Sequence, residues 1–354
     1  MRFLKPALLV FAVINLLIGM NSGLGRIGWS MPLPELYVHH GAIMVGGFLG
    51  SLISLEKVIP LKKNILYAGP AAGVLSILAL LNGRFDVAIW LLIFSSAALI
   101  VVYLYYLIPH WDFTLIVALA GACCLLTGNI ILLQKRMYPT IYTWWFGFLL
   151  LTIVSERLEL SKFLPVPPLM KNLLKVLLAL FLLNLITPYL SWRGNWIMGA
   201  IMMAISLWLL RYDMIRIGIR KSELTRFTAV ALLCGYVALF VEGWFLLSPP
   251  STLLLYDLVL HTFFIGFVFM MIFAHGPIIL PGVLGFSIKP YHPALYLPLV
   301  GLILSLKLRI TADLGWINYS WRAISGWISA GSILLYFLTM ALTTFIALRN
   351  AKAA

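Results

Sequence analysis

Histidines preceded by a carboxylate are the residues of this chain best suited to chemistry. Glu35 lies four positions before His39, Asp257 lies four positions before His261, and His40 directly follows His39. Residues four apart share one face of an α-helix, so each carboxylate is expected to reach its histidine. A carboxylate that accepts a hydrogen bond from one ring nitrogen orients the other nitrogen towards a metal. Two such imidazoles from different helices suit the axial ligation of a haem.

A second set of ionisable residues, Glu56, Glu156 and His275, completes a repeated pattern. In each copy Gly-Phe begins nine positions earlier and an isoleucine lies three positions earlier. Ionisable groups inside apolar segments are costly in lipid and are expected to be functional. We therefore predict proton or ion-pair sites here. The three copies are Gly47-Phe48, Ile53 and Glu56; Gly147-Phe148, Ile153 and Glu156; and Gly266-Phe267, Ile272 and His275.

Structural roles compete with these chemical roles. A histidine at a membrane interface can simply bind headgroups or a neighbouring helix, and Glu56-Lys57 and Glu156-Arg157 can be interfacial caps or ion pairs rather than proton entry points. His275 can close a helix, with the following Pro277 to Phe286 segment dipping into the membrane. Glu242 is a further acid at membrane depth, and its partner cannot be named from the sequence.

Composition places these residues in a membrane protein. Of the 354 residues, 63% are hydrophobic and 10% are charged, against about 25% charged in a soluble domain. The chain is therefore expected to be all-α and polytopic, with residues 1–354 forming a single transmembrane domain in contact with lipid. The net charge of +14 is attributed to topology, and no nucleic-acid partner is expected.

About twelve membrane-spanning helices are predicted. The repeated pattern falls in the second, sixth and tenth, which indicates three pseudo-repeated four-helix units of approximately 1–110, 111–212 and 213–354. The predicted spans are 4–20, 36–55, 64–81, 86–108, 112–133, 140–156, 172–190, 195–211, 226–247, 253–275, 294–309 and 323–348.

The distribution of basic residues predicts the orientation. Seventeen Lys and Arg residues fall on the side of the N-terminus and eight on the other side. The positive-inside rule then places both termini in the cytoplasm, and we expect a prokaryotic cytoplasmic (inner) membrane. His39, His40 and His261 would lie towards the outer face, and Glu56 and His275 towards the cytoplasmic face.

The run His40-Gly41-x-x-Met44-x-x-Gly47-Phe48 resembles the second-helix motif of the NnrS family. His261-x4-Gly266-x4-Met271 is similar to the C-terminal histidine helix of that family. The resemblance implies a twelve-span bacterial membrane protein with haem and copper, linked to nitric oxide stress. More distantly, the arrangement resembles the catalytic subunit of haem–copper oxidases, in which histidines of the second and tenth helices hold a low-spin haem.

The chain departs from these families in its remaining histidines. The second-helix motif of the NnrS family continues with a His-Glu pair, where this chain has Ala42-Ile43. No histidine occurs between His110 and His261, so an oxidase-type copper site is not expected. If the protein is an enzyme, it is expected to be a haem oxidoreductase without that copper.

The leading hypothesis is therefore a bis-histidine, low-spin, b-type haem near the outer face. Its ligands are His40 and His261, with His39 as the alternate to His40 and with Glu35 and Asp257 orienting the imidazoles. Arginines such as Arg309, Arg26 or Arg322 could pair with the propionates. The function would be electron transfer with a redox partner or the binding of a diatomic ligand such as nitric oxide.

Two other classes of function stay open at this point. One is a non-haem metal site built from Glu35, His39 or His40, Asp257 and His261. The other is a transporter or a structural subunit of a respiratory assembly. An apolar middle of the spans counts against a transporter, because transporters place polar groups near the midplane.

Overall fold

Long apolar runs separated by Gly, Pro and polar clusters form helices throughout the computed structural model, which describes residues 4–187, 192–248, 252–285 and 290–353. About 85% of the described residues are helical and none of them lies in a strand, so the all-α prediction is confirmed. Twelve long helices correspond in order to the twelve predicted segments. Residues 188–190 of the predicted seventh span lie outside the described residues.

In the first half of the chain, six helices follow one another. They are α1 (Leu4–Arg26), α2 (Pro34–Leu61), α3 (Asn64–Leu81), α4 (Phe85–Leu107), α5 (Phe113–Lys135) and α6 (Tyr142–Ser161). The second helix is not uniform. It begins as a 3₁₀-helix over Pro34–His39, continues as a short α-helix over His40–Ala42, becomes a π-helix over Ile43–Gly50 and returns to α-helix over Ser51–Val58.

The second half contains α7 (Pro168–Asn184), α8 (Trp192–Tyr212), α9 (Glu223–Leu246), α10, α11 (Tyr296–Asp313) and α12 (Ser320–Ala353). Helix α10 has three parts: an α-helix over Leu253–His261, a π-helix over Thr262–Phe269 and an α-helix over Met270–Leu284. A one-turn helix, Ile215–Gly218, precedes α9.

Within the part of the chain that the structure describes, ten helices are long and apolar enough to cross a membrane. Helix α6, which ends with Glu156, Arg157 and Glu159, and helix α7, with 17 residues, fall outside this set. Large apolar side chains such as Val10, Trp90 and Leu297 are exposed on the helices, as lipid contact requires. Twelve spans therefore stay a prediction, whereas a multi-pass helical architecture agrees with the structure.

Local chemistry explains several helix ends. Asp112 caps α5 by accepting a hydrogen bond from the backbone N–H of Thr114 at 2.7 Å. Thr252 caps α10 in the same way, through the N–H of Leu255 at 3.2 Å. Gly285 ends α10 with φ of 79°, a left-handed conformation that costs glycine little. These residues separate the long apolar runs into distinct helices.

The chain divides into two compact units, Met1–Glu159 and Leu160–Ala354. In the first unit, Leu36 and Ile43 of α2 form a core cluster with Ile77 and Leu80 of α3 and Ala88 of α4. The three predicted four-helix units have other boundaries and stay a prediction.

In the second unit, α8 and α9 approach closely. Gly199 faces the backbone of Gly243, where an added Cβ would lie 2.4 Å from the carbonyl oxygen. Ser206 of α8 donates a hydrogen bond to the carbonyl of Tyr236 at 2.6 Å. Small residues permit such close helix packing in lipid.

Candidate functional site

Asp257 is the centre of a buried ion network in the second unit. Its Oδ2 accepts a hydrogen bond from Nε of Arg309 at 2.8 Å and lies 2.8 Å from Nη2 of the same side chain, and its Oδ1 lies 3.1 Å from Nη2 of Arg322. Oδ1 also lies 3.1 Å from Nδ1 of His261. Nε of Arg322 is 3.1 Å from Oδ1 of Asp313, without hydrogen-bond alignment. Two carboxylates therefore balance two guanidinium groups around a neutral imidazole.

His261 carries its ring proton on Nδ1 in this arrangement. Nδ1 lies 3.0 Å from the backbone carbonyl of Asp257 and 3.1 Å from its carboxylate, and both of these groups are acceptors. The lone pair of the neutral imidazole is then on Nε2. The predicted pairing of Asp257 with His261 is confirmed, because Leu253–His261 is a regular α-helix in which residues four apart meet.

Arg309 and Arg322 have a different role from the one expected. The sequence suggested that they could bind propionates, whereas both are engaged with Asp257. They reach it from α11 and α12, which lie more than fifty residues later in the chain. Sequence reasoning missed this pairing because nothing in the spacing of residues on separate helices gives their register.

His40, in the first unit, is oriented by a backbone carbonyl. Its Nδ1 lies 2.7 Å from the carbonyl oxygen of Gly19 in α1, so Nδ1 is the donor and Nε2 carries the lone pair. The ring packs directly against Gly23, where an added Cβ would lie 2.8 Å from Cε1 of His40. A helix with small residues on this face thus positions the imidazole.

His39 is not oriented by Glu35 as the spacing predicted. Its Nδ1 lies 2.9 Å from the hydroxyl of Tyr138, and its ring stacks on Phe85 with centroids 5.4 Å apart. Glu35 is exposed. Both belong to the 3₁₀-helix Pro34–His39, in which three residues make a turn and the i, i+4 relation of an α-helix is lost. Burial raises the pKa of the Tyr138 hydroxyl, so this group stays protonated.

Glu56 and Glu156 meet through Lys57. The ammonium of Lys57 lies 2.9 Å from Oε1 of each glutamate, and all three side chains are mostly buried. The hydroxyl of Tyr106 donates to the backbone carbonyl of Lys57 at 2.8 Å. Of the two readings of the sequence, the structure supports an ion pair, and the bridging role of Lys57 between the two copies of the motif was not foreseen.

His275 does not close its helix. Helix α10 continues from Met270 to Leu284 through Pro277 and Pro281, so the prediction of a helix end at His275 is wrong. The segment that was expected to dip into the membrane is helical up to Leu284, and Phe286 lies outside the described residues. His275 itself is buried within the second unit.

Two π-helices occupy the same register of the repeated motif. Gly47 is the fifth residue of the π-helix Ile43–Gly50, and Gly266 is the fifth residue of the π-helix Thr262–Phe269. The copy at Gly147 lies in α6, which is an α-helix. π-Helices are rare and occur frequently at functional sites. The Gly-Phe pattern marked both places, but it gave no signal of the π geometry.

Metal-ligating side chains do not cluster within residues 4–187, 192–248, 252–285 and 290–353. No group of three or more His, Cys, Asp or Glu residues there could hold a metal ion. A haem needs only one or two protein ligands, so this finding bears on the non-haem site alone.

The fold and these sites define a class of protein. It is an all-helical protein whose described residues include ten potential membrane spans, with buried ion networks around Lys57 and Asp257. The chain matches the model of the family described as a domain of unknown function, DUF8744, over residues 5–345, and it belongs to that family. Comparison with curated proteins and with solved structures gives no match. The resemblance to the NnrS family stays a prediction.

Proposed function

We propose that this protein is a multi-pass membrane protein that binds a b-type haem through pre-oriented histidines, and that it serves electron transfer or the binding of a small diatomic ligand. The observation that carries this proposal is the contact of Nδ1 of His261 with Asp257. A histidine that ligates a metal almost always donates its other ring N–H to a carboxylate or carbonyl, which fixes the tautomer and makes the imidazole a stronger ligand.

The surroundings of Asp257 strengthen the argument. Arg309 contributes one hydrogen bond from Nε and a second ion-pair contact from Nη2, both at 2.8 Å, which restrain the carboxylate. The side chains of Arg309 and Asp257 are only 6% and 16% exposed, so this restraint acts in a medium of low dielectric constant. His261 is therefore held at a fixed position rather than on a mobile side chain, as an axial ligand requires.

His40 meets the same chemical requirement in the first unit. Its Nδ1 is engaged by the carbonyl of Gly19, which leaves the lone pair on Nε2. His39 is also held at Nδ1, but by the hydroxyl of Tyr138. We infer that His40 is the ligand in the first unit and His39 its alternate. When bound, the haem supplies one-electron redox chemistry and an iron that can take a diatomic ligand.

The membrane assignment supports this function. We propose that α6 and α7 join the ten apolar helices, which gives twelve spans in three four-helix units. The two π-helices share one register of the repeated motif, which supports a relation between the first and third of these four-helix units. The excess of Lys and Arg on the side of the termini supports cytoplasmic ends in a prokaryotic inner membrane.

Optical spectra of the detergent-purified protein test the proposal. Oxidised and dithionite-reduced spectra, with pyridine haemochrome quantification, are expected to show a Soret band and sharp reduced α and β bands. His261→Ala and His40→Ala are each expected to lower the haem content or change the spectrum. His110→Ala is the matched control, because that histidine is exposed in a turn, and it is expected to retain the wild-type spectrum.

Three outcomes would contradict the proposal in different ways. Absence of haem in protein from haem-replete cells refutes haem binding. A wild-type spectrum in His261→Ala refutes that ligand assignment. A changed spectrum in His39→Ala together with a wild-type spectrum in His40→Ala would assign His39, not His40, as the ligand in the first unit. Addition of nitric oxide to the reduced protein then shows whether a ligand is displaced, which separates diatomic binding from electron transfer alone.

A further inference from the structure

Glu242 is a fully buried acid in the last turn but one of α9. Its exposed fraction is 0%, and neither Oε1 nor Oε2 has a hydrogen-bond partner in the described part of the chain. An isolated carboxylate in such a place is very unfavourable, and a buried acid without a partner ordinarily becomes neutral. No role in the proposed haem site uses this residue.

Thr262, the first residue of the π-helix in α10, has a similar environment. It is fully buried, and its Oγ1 also has no hydrogen-bond partner among the described residues. In a helix a threonine hydroxyl can ordinarily bond to a carbonyl of the preceding turn. The hydroxyl of Thr262 does not do so and is available to another group.

The packing of α9 on α10 places Glu242 and Thr262 at the same depth along the two helices. A Cβ added at Gly266 would lie 2.8 Å from Cβ of Ala238. A Cβ added at Gly235 would lie 3.2 Å from Cβ of Met270, so a residue earlier in α9 meets one later in α10. The helices are therefore antiparallel. Glu242 lies one turn after Ala238, and Thr262 lies one turn before Gly266.

The charged neighbours of Glu242 on the packed elements are few. Helix α10 brings His261 and Asp257, and α11 brings Arg309, to the same end of the unit. These three groups are engaged with one another in the Asp257 network. Helix α8 faces Glu242 near Gly199, where no described titratable side chain lies within a turn. No ion pair to Glu242 is formed by the residues that the structure describes.

We propose that Glu242 and Thr262 form a buried proton-binding site beside the Asp257 network. The carboxyl group of Glu242 holds a proton at neutral pH, and the unpartnered hydroxyl of Thr262 is the group that a change of side-chain rotamer would bring into hydrogen bonding with it. The proposal does not depend on the binding of haem.

The donor set favours a proton over a metal cation. Ca²⁺ takes six to eight oxygen ligands and Mg²⁺ demands an octahedron. One carboxylate and one hydroxyl offer three oxygens, and no larger group of acidic or histidine ligands is found in the ranges that the structure covers. A proton needs a single acceptor. The π-helix that begins at Thr262 adds a deviation from α geometry at this site, where local rearrangement is easiest.

Infrared spectroscopy of the full-length protein in D₂O tests the site directly. The C=O stretch of a protonated carboxylic acid lies above the amide I band, where a carboxylate does not absorb. We expect this band at pH 7 in the wild-type protein and its loss in Glu242→Gln. Glu223→Gln is the matched control, because Glu223 is exposed on the same helix, and it is expected to retain the band.

Thr262→Val provides a second readout that keeps the carboxyl group in place. Loss of this hydroxyl from the surroundings of the carboxyl group is expected to shift the band while leaving its area unchanged. Absence of the band at pH 7, or a band unchanged in both Glu242→Gln and Thr262→Val, would overturn the proposal. A band that appears only when sodium is replaced by choline would also overturn it and would assign the site to a cation.

Discussion

Replacement of Asp257 by Asn is the most informative perturbation of this structure. It preserves the size of the side chain and removes the negative charge that Arg309, Arg322 and His261 share. Asp257 is 16% exposed, and its arginine partners Arg309 and Arg322 are 6% and 11% exposed. Among the described residues, the variant therefore leaves two largely buried guanidinium groups with Asp313 as the one remaining counter-charge.

The expected cost follows from the asymmetry between making and breaking a buried ion pair. Removal of one partner leaves an uncompensated charge and costs about 3–5 kcal/mol. Arg322 keeps Asp313 at 3.1 Å, so most of the loss comes from Arg309, whose hydrogen bond and ion-pair contact at 2.8 Å are both to Asp257. We predict that Asp257→Asn lowers the free energy of unfolding by about 3–5 kcal/mol.

The pair Asp86–Arg136 is a matched control for exposure. Its distance is 2.6 Å, shorter than any in the Asp257 network, but its side chains are 51% and 62% exposed. Exposed ion pairs contribute about 0–1 kcal/mol, so Asp86→Asn is expected to cost no more than that. The comparison separates the effect of burial from that of geometry, because the better geometry belongs to the weaker pair.

Urea unfolding in mixed micelles, followed by tryptophan fluorescence, measures both variants. The double variant Asp257→Asn/Arg309→Met should recover part of the loss, because it removes the unpaired charge together with its partner. An equal cost for Asp257→Asn and Asp86→Asn, or no recovery in the double variant, would refute the description of Asp257 as the charge that neutralises Arg309.

Three further predictions concern the first unit. Gly23→Ala places a Cβ 2.8 Å from Cε1 of His40 and should lower the haem content, measured as the absorbance of the Soret band. Its control is Gly331→Ala in the second unit, which has open space around it and should change stability by no more than about 1 kcal/mol. Glu56→Gln and Glu156→Gln should each cost less than about 1 kcal/mol in urea unfolding, because the ammonium of Lys57 keeps one carboxylate in either variant. The double variant should cost more than their sum, because the shared and mostly buried ammonium then loses both partners. Tyr138→Phe should cost about 1 kcal/mol and leave the haem spectrum unchanged, because the hydroxyl contacts His39 whereas His40 is the proposed ligand. A changed spectrum would assign His39 as the ligand instead.

Helix positions were largely predictable because hydrophobic length and turn residues act locally. The predicted span 86–108 is observed as Phe85–Leu107, and 112–133 as Phe113–Lys135. The same local reasoning worked for Asp257 and His261, which lie in a regular α-helix. It failed for Glu35 and His39, because Pro34 begins a 3₁₀-helix and changes the spacing at which side chains meet.

Contacts between helices could not be read from the sequence in the same way. Arg309 and Arg322 reach Asp257 only because α11 and α12 pack against α10 in a particular register. Lys57 bridges Glu56 and Glu156 for the same reason. In lipid, helix register depends on close packing and interhelical hydrogen bonds rather than on a hydrophobic pattern, since every face of a span is apolar.

The repeated motif is better explained by its backbone than by its ionisable residues. Glu56 in one copy corresponds to His275 in another, yet both copies carry a π-helix of eight residues. In both, the motif glycine is a point of close approach. A Cβ at Gly47 would lie 2.3 Å from Oδ1 of Asn15, and one at Gly266 would lie 2.8 Å from Cβ of Ala238. In these two of the three copies the glycine and the π geometry occur together while the ionisable residue differs, so packing against a neighbouring helix is the property that they share. The copy at Gly147 keeps the glutamate in an α-helix, so the ionisable residue does not depend on the π geometry.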